Sequence, residues 1–141
     1  MMPAERLTPP LIELLPAVRG RLDVNEPLSR FTWFKVGGPA DVLFQPADVD
    51  DLSAFLAGCP SDVPVMVMGN ASNMLVRDGG VRGVVIRLGQ AFKTIRMDGE
   101  FVHAGGGAAD LSIARAARDA GLAGLEFLAG IPGTIGGAVF M

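Results

Sequence analysis

The sequence is poor in cysteine, histidine and tyrosine, and it lacks long hydrophobic runs. Among 141 residues there are one cysteine (Cys59), one histidine (His103) and no tyrosine. A single cysteine forms neither an internal disulfide nor a cysteine-based metal cluster, and we expect no bound metal. The apolar runs are far shorter than the roughly 20 residues of a membrane-spanning helix. Residues 1–10 contain an acidic residue and prolines where a signal peptide is apolar, so we expect a cytoplasmic protein without a membrane partner.

An excess of charge of one sign is also missing. The chain has 12 basic and 15 acidic residues and a formal net charge of −3. A sequence-independent nucleic-acid binder needs a basic surface, and the sequence shows no basic stripe that could provide one. Hydrophobic residues make up 50% of the chain, which excludes a disordered tail and predicts a folded domain.

Glycine is the abundant residue: 19 of 141 positions, where about 7% is usual. Apolar strand-like runs alternate with helix-like segments, which favours an α/β or α+β fold. The turn at Asp98-Gly99 predicts a hairpin. The other predicted elements are a short helix at 11–18, a strand at 41–45, a helix capped by Asp48, a strand at 65–68 buried on both faces, a buried strand at 84–86 and a helix capped by Asp110 that ends at Ala120. Trp33 and Phe34 are expected in the core.

Two glycine-rich segments stand where strands end, Gly69–Asn73 and Gly130–Gly137. One interpretation is tight turns in a small sheet. The other is backbone N–H groups that approach the phosphates of a ligand, with Thr134 capping a helix whose first turn faces the anion. The P-loop and Rossmann glycine patterns are both absent from the sequence. For Arg77 and Arg82, a solvent-exposed position and a contact with phosphate both remain open.

Three ordered segments carry a family resemblance: 31–41 (FTWFKVGGPAD), 69–80 (GNASNMLVRDGG) and 124–139 (GLEFLAGIPGTIGGAV). Together they resemble the UDP-N-acetylenolpyruvoylglucosamine reductases, flavoproteins of peptidoglycan precursor synthesis. The resemblance covers about residues 28–139. It implies an FAD-binding module of the vanillyl-alcohol-oxidase type, built from two small α/β subdomains with the flavin between them.

The resemblance also implies a site and a reaction. NADPH reduces the flavin, hydride passes to C3 of the enolpyruvyl group of a UDP-sugar, and protonation of C2 gives UDP-N-acetylmuramate. Val65–Met68 and Ile131 are expected to form apolar walls of the site. The family is often monomeric. The implied FAD-binding residues are Gly69, Asn70, Ala71, Ser72, Asn73, Met74, Ala104, Gly105, Gly106, Gly130, Ile131, Pro132, Gly133, Thr134, Gly136 and Gly137.

The sequence departs from the family pattern at Asn70, where a small residue is usual, and at Phe140, where the family has an arginine implied to hold the enol intermediate. Phenylalanine has no charge and no hydrogen-bond donor, so it cannot take that role. The family's serine proton donor and glutamate would follow residue 141. We therefore expect residues 1–27 to be an N-terminal extension and residues 28–141 to be an FAD-binding domain with an incomplete second subdomain, no substrate domain and no catalytic residue of its own. The alternatives are a non-catalytic FAD- or nucleotide-binding fragment and another flavin oxidoreductase of the same type.

Overall fold

The computed structural model describes residues 10–141, and its first part is a four-stranded sheet with the strand order β1-β2-β4-β3. Strand β1 pairs with β2 in antiparallel orientation, while β4 is parallel to both β2 and β3. We call residues 10–92 the sheet unit. Its strands are β1 (Arg21–Pro27), β2 (Pro39–Gln45), β3 (Val65–Met68) and β4 (Val81–Arg87).

The two faces of this sheet carry separate apolar clusters, because successive side chains of a strand point to opposite faces. Leu43 and Val85 belong to the cluster on one face, which also contains Leu28 and Met68. Phe44 lies in the cluster on the other face, where its ring centroid is 4.4 Å from that of Phe55. Helix α1 (Leu11–Leu14) contributes Leu11 to this second face, and α2 (Val49–Gly58) contributes Phe55.

The second part, residues 93–141, is smaller, and we call it the hairpin unit. It contains the antiparallel strands β5 (Ile95–Asp98) and β6 (Phe101–Ala104), followed by helices α3 (Asp110–Asp119) and α4 (Ile135–Phe140). Its buried core is small and consists of the cluster Ala108, Ile113 and Leu128, together with Ala117. Short 3₁₀ turns lie at Leu28–Arg30, Gln90–Phe92 and Glu126–Gly130.

Several elements confirm the sequence-based predictions. Helix α2 begins after Asp48, whose Oδ1 accepts a 2.9 Å hydrogen bond from the backbone N–H of Asp51, as an N-cap should. Strand β4 is buried across Val84–Ile86, and the hairpin turns at Asp98-Gly99 as its sequence predicts. The alternation of strands and helices gives the expected mixed α/β architecture in two small units.

Three predictions about burial and capping were wrong. Strand β3 is not buried on both faces, because it forms the edge of the sheet and leaves Val67 60% exposed. Trp33 and Phe34 are exposed rather than in the core, since they lie in a loop beside the sheet. Asp110 does not cap α3, because it is the first residue of the helix and Ala109 takes the cap position.

The N-terminal part also differs from its prediction. Helix α1 ends at Leu14, whereas a helix to Val18 was expected. Strand β1 was not predicted, and its full pairing with β2 makes residues 21–27 part of the sheet rather than of a separate extension. Residues 1–9 of the expected extension lie outside the described part of the chain. Between residues 10 and 141, no helix is long and apolar enough to cross a membrane.

Candidate functional site

The candidate site begins at the carboxyl ends of two parallel strands. Met68 of β3 pairs with Arg87 of β4, so the segments that follow these residues leave the sheet at the same edge. One segment is the predicted loop Gly69–Asn73, and the other contains the turn Gln90–Phe92. Ligands in open α/β sheets bind outside the carboxyl ends of parallel strands.

The loop Gly69–Asn73 packs directly against the loop Gly130–Gly137, although about 60 residues separate them in the sequence. A Cβ atom on Gly69 would lie 2.6 Å from Oγ1 of Thr134, and one on Gly133 would lie 2.8 Å from Oγ of Ser72. Gly133 also has a φ of +113°, which residues with a side chain rarely adopt. The close packing therefore depends on glycine at position 133, and a side chain at position 69 would force Thr134 to move.

The third loop, Ala104–Gly107, extends the predicted turn Ala104–Gly106 by one residue, and backbone hydrogen bonds join it to the turn Gln90–Phe92 and to the loop Gly130–Gly137. The N–H of Gly107 donates to the carbonyl of Phe92 at 2.9 Å, and the N–H of Gly136 donates to the carbonyl of Gly106 at 3.0 Å. A Cβ atom on Gly136 would lie 2.7 Å from this Gly106 oxygen. The structure thus brings together the three segments that the sequence analysis selected.

The start of α3 is held against the same loops. Ala109 forms an antiparallel bridge with Thr134, and the N–H of Asp110 donates to the carbonyl of Gly133 at 3.1 Å. The Asp110 side chain is fully buried, and within residues 10–141 neither carboxyl oxygen has a hydrogen-bond partner. Burial raises the pKa of this carboxyl. Thr134 precedes α4 as predicted, but its side chain makes no capping hydrogen bond.

A cavity of about 320 Å³ opens where these segments meet. Its size falls within the range of small-molecule sites. Its lining is mostly polar and comes from four segments of the chain: Asn70, Gln90, Lys93, Gly107, Ala109 and Ser112.

Of the predicted site residues, Asn70 lines this cavity, while the tip Gly130–Pro132 is exposed to solvent. The expected apolar walls, Val65–Met68 and Ile131, do not line it. Arg77 and Arg82 do not line it either, and Arg82 forms an ion pair with Asp41 at 3.1 Å.

Five cavity residues were missed by the sequence analysis: Gln90, Lys93, Gly107, Ala109 and Ser112, of which Gly107 directly follows the predicted turn Ala104–Gly106. A signal for the first two was present in the sequence. Residues 88–93 follow an apolar strand, as Gly69–Asn73 do, and the ends of neighbouring parallel strands share an edge. Ala109 and Ser112 gave no such signal, because only the pairing of Ala109 with Thr134 brings the start of α3 to the cavity.

The remaining reactive side chains lie elsewhere. His103 is exposed, with Nε2 3.6 Å from Oδ2 of Asp98. Cys59 follows α2, where burial raises the pKa of its thiol. Phe140 ends α4 and is 90% exposed. In the described part of the chain, no three His, Cys, Asp or Glu side chains are grouped as metal ligands.

Comparison with known proteins agrees with this geometry. A model of the FAD-binding domain family matches residues 40–141. The chain is 60% identical over its full length to the UDP-N-acetylenolpyruvoylglucosamine reductase of Parvibaculum lavamentivorans, and it covers 45% of that protein. Over 99% of its length it is 59% identical to the reductase of the same name from Rhodospirillum rubrum, of which it covers 44%. The chain thus spans less than half the length of these curated relatives.

A solved structure gives the same result. The UDP-N-acetylenolpyruvylglucosamine reductase (MurB) of Thermus caldophilus matches 87% of the chain with a TM-score of 0.66 and 36% sequence identity, and the chain covers 42% of it. The resemblance to the reductases is therefore confirmed in both sequence and structure, and so is the fold class. The chain belongs to the family of FAD-binding domains.

Proposed function

We propose that this chain is the FAD-binding part of a flavin-dependent reductase that acts on the enolpyruvyl group of UDP-N-acetylglucosamine-enolpyruvate. The observation that carries the proposal is the junction of three glycine-rich loops at the carboxyl ends of β3 and β4. In this proposal residues 28–141 form the FAD-binding domain, with β1 as an additional strand of its sheet, and the protein works in the cytoplasm.

The donors at the junction suit FAD. The lining of the cavity offers the amides of Asn70 and Gln90, the hydroxyl of Ser112 and the ammonium of Lys93. Among the described residues, no carboxylate lines it. Donors of this kind recognise the diphosphate and the sugar hydroxyls of a dinucleotide. The close contacts at Gly69 and Gly136 leave no room for side chains, so the backbone itself forms the walls between the loops.

The chain's own residues would bind and orient the cofactor. Asn70 and Ser72, from the loop after β3, and the Gly105–Gly107 turn would hold its polar end. The Gly133–Gly137 segment would hold it from the other side, since it lies against Gly69 and Ser72 and is fixed to Gly106 by a backbone hydrogen bond. Rigid backbone donors lose little entropy on binding, which favours a tightly held cofactor.

Bound FAD would supply a carrier for hydride between two substrates that bind in turn. In the overall reaction NADPH is oxidised to NADP⁺, a hydride adds to C3 of the enolpyruvyl group, and a proton adds to C2 to give UDP-N-acetylmuramate. We propose that the serine donating this proton, the glutamate and the UDP-sugar site lie outside these 141 residues. Phe140 has no group that could hold an anionic intermediate.

Cofactor retention tests the proposal directly. The purified chain is incubated with FAD and desalted, and the flavin absorbance that remains is compared with protein concentration. We expect near-stoichiometric retention by the wild-type chain. Gly136→Ala should lose it, because the added methyl group collides with the Gly106 carbonyl. Gly79→Ala is the matched control, since a Cβ atom there meets no atom within 4 Å.

A second experiment, on a longer fusion protein, distinguishes the proposed reductase from a non-catalytic FAD-binding protein. A chain joined to the remaining half of a relative should bleach its flavin with NADPH and recover the colour with the UDP-sugar. Retained flavin with no bleaching in that full-length context would favour the non-catalytic alternative. A wild-type chain that folds cooperatively but retains no FAD would overturn the proposed function.

A further inference from the structure

We propose that Lys93 is the cationic residue that binds the diphosphate of FAD in this chain, with Asn70 and Ser112 as its partners. The inference rests on the proposed FAD site and adds a specific charged residue to it. The three glycine-rich loops contain no lysine or arginine among the predicted site residues. The negative charge of a diphosphate must therefore be balanced by backbone N–H groups or by a cation from another segment.

Lys93 reaches the site because of the way β4 ends. Strand β4 leaves the sheet beside β3, and the turn Gln90–Phe92 follows it. The carbonyl of Phe92 accepts a hydrogen bond from the N–H of Gly107, and the carbonyl of Thr94 accepts one from the N–H of Gly105, both at 2.9 Å. These two bonds hold the backbone on either side of Lys93 against the Ala104–Gly107 loop.

The charge distribution in the cavity favours an anion. Lys93 is the one charged side chain among the lining residues in the described part of the chain, and the other side chains there are amides, a hydroxyl and a methyl group. The side chain of Asp110 is fully buried behind this surface and does not line the cavity. An ammonium group with adjacent neutral donors is a common arrangement for phosphate binding.

The N-terminus of α3 adds to the positive electrostatic potential in the cavity. Ser112 lies in the first turn of this ten-residue helix, and no side chain of the described residues caps it. The first turn of a helix carries a partial positive charge. Ser112 and Asn70 enter the cavity from opposite units, so a diphosphate held by Lys93 would contact both of them.

The test is an FAD titration followed by flavin fluorescence, at several salt concentrations. We expect Lys93→Gln to weaken FAD binding by roughly ten- to a hundredfold, and the salt dependence of its dissociation constant should become shallower. Lys93→Arg keeps the positive charge and should restore most of the affinity. Arg96→Gln is the matched control, because it removes an exposed positive charge three residues away that does not line the cavity.

A second variant separates binding from stability. Ser112→Asp places a negative charge in the first turn of α3, where it favours the helix. The same charge would repel a diphosphate in the cavity. We therefore expect Ser112→Asp to melt at or above the temperature of the wild type in the absence of FAD, while its FAD affinity falls at least tenfold.

The outcomes distinguish this inference from the proposed function. If the wild type binds FAD and both Lys93→Gln and Ser112→Asp bind it equally well, Lys93 does not contact the diphosphate and the inference fails, while the FAD site stands. If the folded wild type does not bind FAD at all, the proposed function fails with it. Loss of affinity in Lys93→Gln that Lys93→Arg restores, with Arg96→Gln unchanged, supports the inference.

Discussion

The sheet unit is held by apolar packing on both faces of its strands, whereas the hairpin unit is held largely by backbone hydrogen bonds between loops. A single face of the sheet already contains three completely buried large side chains, Phe44, Phe55 and Ile86. The hairpin unit buries Ala108, Ile113, Ala117 and Leu128. Because apolar burial is the main source of stability, the sheet unit should be the stable part of the molecule.

This division suits a ligand site. Regions with few buried apolar contacts open locally at low free energy, and binding sites are often found there. The hairpin unit contributes two of the three glycine-rich loops, and it joins the sheet unit through contacts such as Gly107 to Phe92. A cofactor bound at this junction would contact both units and would stabilise the less stable one.

The largest expected effect comes from the aromatic pair under the sheet. Phe55→Ala should lower the free energy of unfolding by about 3–5 kcal/mol, because it removes a fully buried ring that packs against Phe44. Phe127→Ala in the hairpin unit is the control. Its side chain is 63% exposed, so we expect a change within about 0.5 kcal/mol. Urea denaturation monitored by circular dichroism measures both, and equal losses would contradict the contrast between the units.

The next effect concerns Asp51, which fixes the segment before β1 to the start of α2. Its carboxylate accepts hydrogen bonds from the N–H groups of Arg19 at 2.8 Å, Gly20 at 2.8 Å and Ala47 at 2.9 Å. These bonds, with the one from Ala47 foremost, lower the pKa of Asp51. Asp51→Asn keeps the shape but replaces one acceptor oxygen by a donor, so we expect the melting temperature to fall by roughly 5–10 °C.

The pH dependence follows from the direction of this shift. A carboxyl whose folded-state pKa is depressed contributes stability above its unfolded pKa, near 3.9, and this stability is lost as the pH falls through the folded value. The wild type should therefore lose more stability on acidification below about pH 4 than Asp51→Asn does. Parallel losses for the two proteins would show that Asp51 is not responsible. Asp50→Asn, one residue earlier on an exposed position, is the control.

In the hairpin unit the corresponding buried carboxyl has the opposite effect. Asp110 has no hydrogen-bond partner among the described residues, and burial raises its pKa. The stability linked to its neutral form is fully present below the unfolded pKa and is lost as the pH rises through the folded pKa. We expect Asp110→Asn to increase stability at pH 7 by about 1–2 kcal/mol and to have little effect near pH 4.

Thermal melts of Asp110→Asn at the two pH values measure this difference. Asp119→Asn is the control, because Asp119 is exposed and, among residues 10–141, pairs only with its neighbour Arg118, 2.8 Å away. A loss of stability in Asp110→Asn at pH 7 would mean that the ionised carboxyl has a favourable partner. That result would remove the contrast between a stabilising buried carboxyl in one unit and a costly one in the other.

The sequence predicted local features better than sheet order and burial. The Asp48 cap and the Asp98-Gly99 turn depend on neighbouring residues, and both were predicted. The exposure of β3 depends on the order β1-β2-β4-β3, which an apolar run does not reveal. Strand β1 was missed although Arg21–Val24 alternates charged and apolar residues, the pattern of a half-buried strand. It continues into Asn25, Glu26 and a proline, which also fit a loop.

The site shows the same limit. The glycine-rich loops could be predicted because clustered glycines at strand ends indicate tight turns or a close approach of the backbone, and the resemblance to the reductases placed all three of them. Ser112 was missed because nothing in the nearby sequence distinguishes it from exposed residues, whereas Lys93 had a signal in its position after strand β4 that was not used. Only the meeting of the two units brings them to one cavity. Residues that line a junction between units cannot be identified until the packing of the units is known.

The smallest effect concerns backbone strain in the loop of the sheet unit that carries Trp33 and Phe34. Lys35 has a φ of 56°, in the left-handed region that costs a residue with a Cβ atom about 1–2 kcal/mol. Its N–H donates to the carbonyl of Thr32 at 3.2 Å, and the Thr32 hydroxyl donates to the carbonyl of Val36 at 2.8 Å, so the loop holds this conformation. Lys35→Gly relieves the strain but also gives the unfolded chain more freedom, and we expect a net gain of about 0.5–1 kcal/mol.

Lys35→Ala keeps the Cβ atom, and with it the strain, so its stability should equal that of the wild type within about 0.5 kcal/mol. Both variants remove the charge, so the difference between their free energies of unfolding reports the effect on the backbone alone. Urea denaturation of the two variants measures this difference. Equal stability of the two variants would show that the loop relaxes out of the left-handed conformation in solution. A gain in Lys35→Gly alone would show that the sheet unit is rigid enough to hold a strained loop at its surface, which the loosely packed hairpin unit achieves only with glycine, as at Gly133.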